Sequence, residues 1–404
     1  MMAHAQMEPI VIAGAGPVGL VLAMRLGHMG FACRVLESEP DIVRSLRAST
    51  FHPPTLDMLE PYGITPQLIA AGLIAPTWQV RMHATQEYAQ FDLSVLKDET
   101  AHPYRLQCEQ WRLSEFLLAH IHEHLPHVQV LFGHALEGFS QDTEGVTVDY
   151  REPDGQVRRL KAPFLVGADG GRSKVRQGLD LAFDGHTFPE TTILATTRFP
   201  FHEHLKNLAF INYCWSETGT FSLLRLKDLW RISLYPDEGE ALDLAVEMDA
   251  VQKKLQRIVA QSGAYDVMEI RPYRIHQRVV KQYVVGRVVL VGDAAHLNSP
   301  SGGMGMNGGI HDAFNLSEKL EQFFKVKADL DVLSLYERQR RPIAIEHVLA
   351  QSGQNRARMQ ERDMDKRRSA LVALQRKADD AVLHKAHLLN TSMITGLRAA
   401  ALVV

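Results

Sequence analysis

The chain has 404 residues, 46% hydrophobic and 23% charged, with a formal net charge of -3. This is ordinary globular usage, ample for a sizeable core and two structural domains, and it provides no basic field to hold nucleic acid or an anionic membrane. Cys33, Cys108 and Cys214 are scattered with no C-x-x-C, so neither a disulfide framework nor a zinc site is expected, and a reducing compartment is.

In chain order, the long uncharged stretch 9–24 lacks the basic flank of a signal peptide and carries Gly and Pro inside it. It reads as a buried strand and helix of a soluble, cytoplasmic protein. Short β-branched runs at 10–12 and 33–36 bracket a helical stretch, giving a βαβ unit. Leu113, Phe116, Leu117, His120 and Ile121 recur at helical spacing and predict a helix over 112–124. Strands are expected between 128 and 166. From 191 to 235 the text turns to Phe, Trp, Tyr and Thr, which suggests an inserted sheet, followed by helical periodicity over 242–259. Beyond Pro342 the sequence is helical with interleaved charges, the pattern of a solvated face. The apolar tail 394–404 suits packing on the body or on a second subunit, so a monomer or homodimer is expected.

Three glycine-bearing signatures punctuate these elements. The first, IVIAGAGPVGLVLAMRL, sets Gly14, Gly16 and Gly19 around Pro17 and Val18 directly after a strand. In such a motif the first glycine permits the turn, the second lets backbone approach a pyrophosphate, and the third lets helix and strand pack closely. Glu37 ends the next strand, where a carboxylate can accept from ribose hydroxyls. A plain structural turn would use the same glycines; the strand before, the helix after and the acid beyond favour the nucleotide. The second, FLVGADGGRSKVR, puts Asp169 and Gly170 after an apolar strand, with Arg172, Lys174 and Arg176 nearby for phosphate or carboxylate. In the third, VVLVGDAAHLNSPSGGMGMNGG, Gly292 and Asp293 end a strand, and Pro300, Gly303, Met304, Gly305, Met306 and Asn307 lead to a helix expected near Gly309. Such a loop can lie against a flat ring, with the helix start favouring a developing anion.

Three such signatures in this order point to FAD. The expected fold is α/β with an α+β insert: a Rossmann-like FAD-binding domain with a parallel central sheet, interrupted by a mainly antiparallel β-sheet substrate domain, then a helical C-terminus. The FAD-binding domain is expected over 1–75, 106–182 and 285–350, the substrate-binding domain over 76–105 and 183–284, and the C-terminal helices over 351–404.

The three segments together resemble the single-component FAD-dependent aromatic hydroxylases, the group A flavoprotein monooxygenases typified by p-hydroxybenzoate hydroxylase, over roughly 9–342. The resemblance implies that Gly14, Gly16, Gly19 and Glu37 hold the adenosine half of FAD. It implies that Arg47, in LRASTFHPPTLDML, and Gln110, in EQWRLSEFLL, contact the pyrophosphate and ribityl region. Asp169 and Gly170 would serve both FAD and NAD(P)H, Asp293 the ribityl chain, and Gly303 to Asn307 the isoalloxazine ring. Two departures stand out: relatives carry paired prolines where this chain has Ser299, Pro300 and Ser301, and roughly sixty residues after Pro342 are too few for the thioredoxin-like domain of larger relatives.

By the same resemblance, NADH or NADPH reduces FAD, O2 adds at the flavin C4a position, and the hydroperoxide attacks an electron-rich carbon of an aromatic or heteroaromatic substrate. No metal is needed. Tyr213 and Arg225, in the strand-rich insert, are the candidates for activating the substrate, while His296 in GDAAH is read as support for the flavin loop. Alternatives on this scaffold are a halogenase, a polyprenyl reductase or a non-catalytic FAD-binding redox sensor. The tryptophans, Trp78, Trp111, Trp215 and Trp230, leave no W-x-W-x-I-P signature for the first.

Overall fold

A computed structural model describes residues 8–46 and 48–404; Arg47 lies outside the described residues. The uncharged start of the chain becomes the middle of a sheet. Ile10–Ala13 is buried along its whole length, and a strand with no polar face needs cover on both sides. It pairs in parallel with Cys33–Glu37 and with Leu165–Gly167. Val128–Phe132 and Val288–Leu290 extend the parallel set outward, and Val284–Val285 closes one edge antiparallel. The helix Pro17–His28 lies between Gln110–His124 and Gly305–Lys325, so the strand–turn–helix unit sits deep in the largest apolar cluster.

Ala135–Gln141, Val146–Arg151 and Val157–Ala162 form a separate antiparallel sheet. The insert is an eight-stranded sheet in the order His296–Leu297, Val267–Val280, Phe183–Thr197, Trp230–Leu234, Gly219–Arg225, Ile211–Ser216, Thr77–Met82, Tyr88–Asp92. Its pairings are antiparallel except between Ile211–Ser216 and Thr77–Met82. On one side, Leu223 and Ile232 pack with Val251 and Leu255 of the helix Met248–Ile258. On the other, Trp78, Phe91 and Trp215 meet Leu371, Leu374, Leu388 and Ile394 from the C-terminal helices.

The helix expected over 112–124 runs Gln110–His124. The one expected over 242–259 breaks into Leu242–Ala245 and Met248–Ile258, because Glu247 is extended and starts the second piece. The largest shift is at the third glycine loop, where the helix begins at Gly305 rather than near Gly309. Propensity argues against a helical Gly-Met-Asn-Gly-Gly turn. Here the buried Asn307 side chain overrides it, donating to Thr50 O (2.8 Å) and Gly303 O (2.7 Å) while accepting from His52 N (3.0 Å). Further on, Val332–Ile343 carries Pro342 in its last turn, and the helix widens to i→i+5 bonding over Ala344–Leu349 before Ala350–Gln360. The apolar tail packs on the body in part: Ile394 and Ala400 are buried, whereas Leu402 and Val404 are exposed.

Candidate active site

The first glycine turn is sterically obligatory. Gly14 has φ +101°, and a Cβ there would lie 2.5 Å from Ala168 O. A Cβ on Gly19 would lie 2.0 Å from Gly14 O, so helix and strand approach only because both lack side chains. Gly16 is different: nothing stands within 4 Å of a Cβ, because it borders open space. The helix that follows has Pro17 at its start, no side-chain cap and no acidic residue in its first turn, leaving its N–H groups and positive end for an anion. Glu37 accepts from the Ala15 and Glu39 amides at 2.8 and 2.9 Å, tying the end of its strand to the glycine turn.

Asp169 accepts from the Val175 amide through Oδ2 at 3.1 Å, while Oδ1 is buried with no hydrogen-bond partner. Burial raises this carboxyl above its ordinary value. Asp293 sits exposed at the mouth of the third loop. Gly302 and Gly303, with φ +101° and +68°, turn that loop inward, and a Cβ on Gly303 would lie 2.8 Å from Thr50 Cβ. The helix Gly305–Lys325 again starts with no side-chain cap and no acid in its first turn.

Behind the loop, Asp312 is fully buried and joins three elements. It accepts from the Gly292 amide, pairs with His296 Nε2 at 2.8 Å, and takes Arg340 Nε at 2.6 Å. Burial alone would raise its carboxyl, but Arg340 and His296 outweigh that and hold it at about 2. His296 thus has its place behind the loop and does not border the cavity.

One cavity of about 1150 Å³ connects these parts. Its lining includes Gly14, Gly16, Pro17, Val18, Glu37, Gln110, Asp169, Gly170, Asp293, Pro300, Gly303, Met304, Gly305 and Met306. Gly19, Gly292 and Asn307 stand just behind that lining. At the far end the wall is the eight-stranded sheet, where Tyr213, Ser222, Leu224, Arg231, Ser233 and Tyr235 face the cavity, and Met359 of the helix Ala350–Gln360 reaches it from the C-terminal layer.

Arg225 is a correction. It does not line this cavity; its guanidinium lies over the rings of Phe210 and Trp230, at 5.1 and 6.0 Å from their centroids. On that strand Arg225 shares a side with Leu223, which is buried toward the helix Met248–Ile258, while Ser222 and Leu224 alternate to the cavity side. On the neighbouring strand, Arg231 does face the cavity, paired across the strands with Leu224. It is buried, reaches Ser49 Oγ at 3.4 Å with Nη1, and has no hydrogen-bond partner for Nε. Sequence reading missed it, although the alternation Arg231, Ser233, Tyr235 is a period-two polar row in an otherwise apolar strand. Tyr213 lies where the cavity meets a second buried cation, Arg105, whose guanidinium stands beside the tyrosine hydroxyl and over Trp78.

With this geometry in view, the comparisons decide the family. The family model described as "FAD binding domain" matches residues 7–351. The chain belongs to that family. Para-nitrophenol 4-monooxygenase of Pseudomonas sp. is 32% identical over 394 residues, covering 97% of both chains. The 6-hydroxy-3-succinoylpyridine 3-monooxygenase of Pseudomonas putida is 33% identical over 355 residues, 86% of this chain and 88% of that one. The crystal structure of p-nitrophenol 4-monooxygenase from Pseudomonas putida matches with a TM-score of 0.90 at 30% identity, over 97% of this chain and 98% of that one. A ternary complex of aklavinone-11 hydroxylase with FAD and aklavinone matches with a TM-score of 0.77 at 25% identity, over 89% of this chain and 70% of that one.

The cofactor is FAD, and the chain is a flavin-dependent monooxygenase. The cleft fits it: Gly16 offers bare backbone to the cavity, two uncapped helix starts face it, and the buried Asp169 Oδ1 lacks a partner. Among the described residues, no group of three or more His, Cys, Asp or Glu could hold a metal ion. No helix among them is long and apolar enough to cross a membrane.

Proposed function

We propose that this enzyme hydroxylates a single-ring phenol or hydroxypyridine at a carbon activated by the ring oxygen. The observation carrying this reading is the shared cavity, with backbone and carboxylates suited to a dinucleotide at one end and a tyrosine, an arginine and apolar side chains at the other. Para-nitrophenol and 6-hydroxy-3-succinoylpyridine, which the relatives' names give as substrates, are both hydroxylated six-membered rings.

In this reading Gly14, Gly16, Gly19 and the start of Pro17–His28 receive the pyrophosphate, and Glu37 the adenosine ribose. Gln110, Asp169 and Asp293 hold the middle of the cofactor, and Gly303 to Met306 lie against its flat ring. Gly170 with Asp169 serves the nucleotide donor, NADH or NADPH. Bound FAD supplies the redox chemistry, taking a hydride from that donor and delivering one oxygen atom of O2 to the aromatic ring. The uncapped start of Gly305–Lys325 favours negative charge on the ring system beside it.

The chain's own residues bind and orient the substrate. Tyr213 presents its hydroxyl to the substrate oxygen, with Arg105 behind it favouring negative charge at that point. Arg231, buried with its Nε unpaired, attracts the same anionic ring or an acidic substituent on it. Leu224 and Met359 exclude water from the reacting carbon. The division into a discontinuous FAD-binding domain, an inserted substrate domain and C-terminal helices belongs to this proposal. So do a monomeric or homodimeric state, the absence of nucleic-acid or membrane partners, and a cytoplasmic location.

The test is to load the purified protein with FAD and follow NADH and NADPH consumption with 4-nitrophenol and a panel of phenols and hydroxypyridines under isotopically labelled O2. A product carrying one labelled oxygen is expected. If every compound yields only hydrogen peroxide equal to the nucleotide consumed, the hydroxylase reading is wrong.

A further inference from the structure

Met359, near the end of the helix Ala350–Gln360, lines the large cavity at its substrate end. It is 8% exposed and belongs to the apolar cluster of Trp78 and Trp215, against which Tyr213 and Leu224 also pack. The Trp215 indole donates to Arg358 O at 3.0 Å, which fixes the backbone beside the methionine. Its neighbours in the wall are poor acceptors of an oxygen atom. Leu224 has only C–H bonds, Ser222 and Ser233 carry hydroxyls, Arg231 is a cation, and the Tyr213 hydroxyl stands beside the guanidinium of Arg105. A thioether is different: it is soft and polarisable, and its sulfur lone pair takes an oxygen atom to give the sulfoxide.

We propose that Met359 is the site of a second reaction of this enzyme, sulfoxidation of its own side chain when no aromatic ring occupies the chamber. The proposal rests on the placement of the reacting ring given under Proposed function. In hydroxylation the nucleotide gives a hydride, one atom of O2 enters the substrate and the other leaves as water. Here the thioether replaces the ring, so that methionine, O2, NAD(P)H and a proton give methionine sulfoxide, water and NAD(P)+. The S–O bond forms as the O–O bond breaks, and O2 takes two electrons from the nucleotide and two from sulfur. A bound ring covers the sulfur and receives the oxygen atom instead.

The other methionines give the contrast. Met304 and Met306 line the same cavity from the third glycine loop, Met304 packed with Val348 and Met393, and Met306 against the apolar core of the FAD-binding sheet. Met248, Met268 and Met364 are 46, 47 and 42% exposed and do not line the cavity. Oxidation by peroxide free in solution follows exposure and reaches those three first. Oxidation from within the chamber follows position and reaches Met359. The sulfoxide then sets a polar S–O group in a wall of apolar contacts and weakens binding of the ring. Unproductive turnover thereby lowers the enzyme's affinity for its own substrate.

The experiment takes the FAD-loaded enzyme, reduces the flavin chemically under nitrogen, removes the reductant and admits isotopically labelled O2 with catalase present, over repeated cycles. Peptide mass spectrometry reads the label at each methionine. Label is expected at Met359 ahead of Met248, Met268 and Met364, and the reverse order when the oxidised enzyme is treated with hydrogen peroxide alone. With 4-nitrophenol present, the label is expected in the phenol product while Met359 stays unmodified; equal labelling with and without the ring overturns its placement in the reaction chamber. Cycling should raise the Kd for 4-nitrophenol by about fivefold or more in wild type, and leave that of Met359→Leu at its own starting value. Label confined to the exposed methionines, or absent from Met359, overturns the proposal. If a compound of the phenol and hydroxypyridine panel gains label while Met359 in the ring-free cycles does not, this proposal alone falls. If neither is labelled, the hydroxylase reading falls with it.

Discussion

At the residue scale, the contrast between Arg225 and Arg231 shows where sequence stops short. Both are arginines in strands of alternating character, and both fit the pattern of a cation facing a pocket. Which side of the sheet is the pocket depends on the helices laid against it, Met248–Ile258 on one side and Ala350–Gln360 on the other, and those contacts are long-range. Tyr213 does line the cavity, on a strand of the insert that its aromatic and β-branched text predicts. Its neighbour Arg105, more than a hundred residues earlier, left no trace in the local text. If Tyr213 presents a hydroxyl to the substrate, Tyr213→Phe lowers kcat by about tenfold to a hundredfold with a smaller change in KM. Arg231→Met should act mainly on KM, by about tenfold, for substrates ionised at the assay pH. Steady-state kinetics over a series of phenols of graded acidity separates the two, and equal effects of both variants on kcat and KM would refute this division of labour.

At the scale of elements, the glycine turns were the most readable parts, because each answers to a steric demand expressed in the local sequence. Gly14 and Gly19 are needed for close approach and Gly16 for access, and the geometry gives each its own reason. Gly14→Ala should therefore yield a folded or partly folded protein that elutes without FAD, visible as loss of the yellow chromophore. The start of Gly305–Lys325 was less readable. Its first turn is helical only because Asn307 reaches back to Thr50 and His52, a tertiary bond that local propensity does not encode. The same holds for Asp312, unremarked among helical residues yet the junction of Gly292, His296 and Arg340. Asp312→Ala leaves Arg340 buried without its counter-ion and should cost about 3–5 kcal/mol in urea unfolding. A loss under 1 kcal/mol would mean that the network contributes nothing to stability. Replacing Asp312 and Arg340 together by apolar residues should recover much of the loss.

At the scale of the whole molecule, buried titratable groups set a one-sided response to acid. His311 is fully buried, and burial holds it down at about 3 instead of 6.5. The unfolded chain therefore takes up a proton below about pH 6.5 that the folded one refuses until about pH 3, and stability falls over that interval by up to ~1.4 kcal/mol per pH unit. Asp312, held at about 2 instead of 3.8, adds stability present above that ordinary value and lost as pH falls toward 2. Both losses have the same sign. Urea midpoints measured from pH 7 downward should decline from about 6.5, and His311→Asn should flatten the slope between about pH 6.5 and pH 3 while leaving the slope below pH 3 unchanged.

The central sheet has a further consequence for biosynthesis. Leu165–Gly167 is flanked by Ile10–Ala13 from the beginning of the chain and by Val288–Leu290 from much later, and the third glycine loop, which lines the same cavity as the first glycine turn, follows that last strand. A ribosome that has made the first glycine turn has thus produced only half a clasp. Flavin loading must wait until Gly305 has emerged from the exit tunnel, and nascent chains stalled before that point should come off the ribosome colourless.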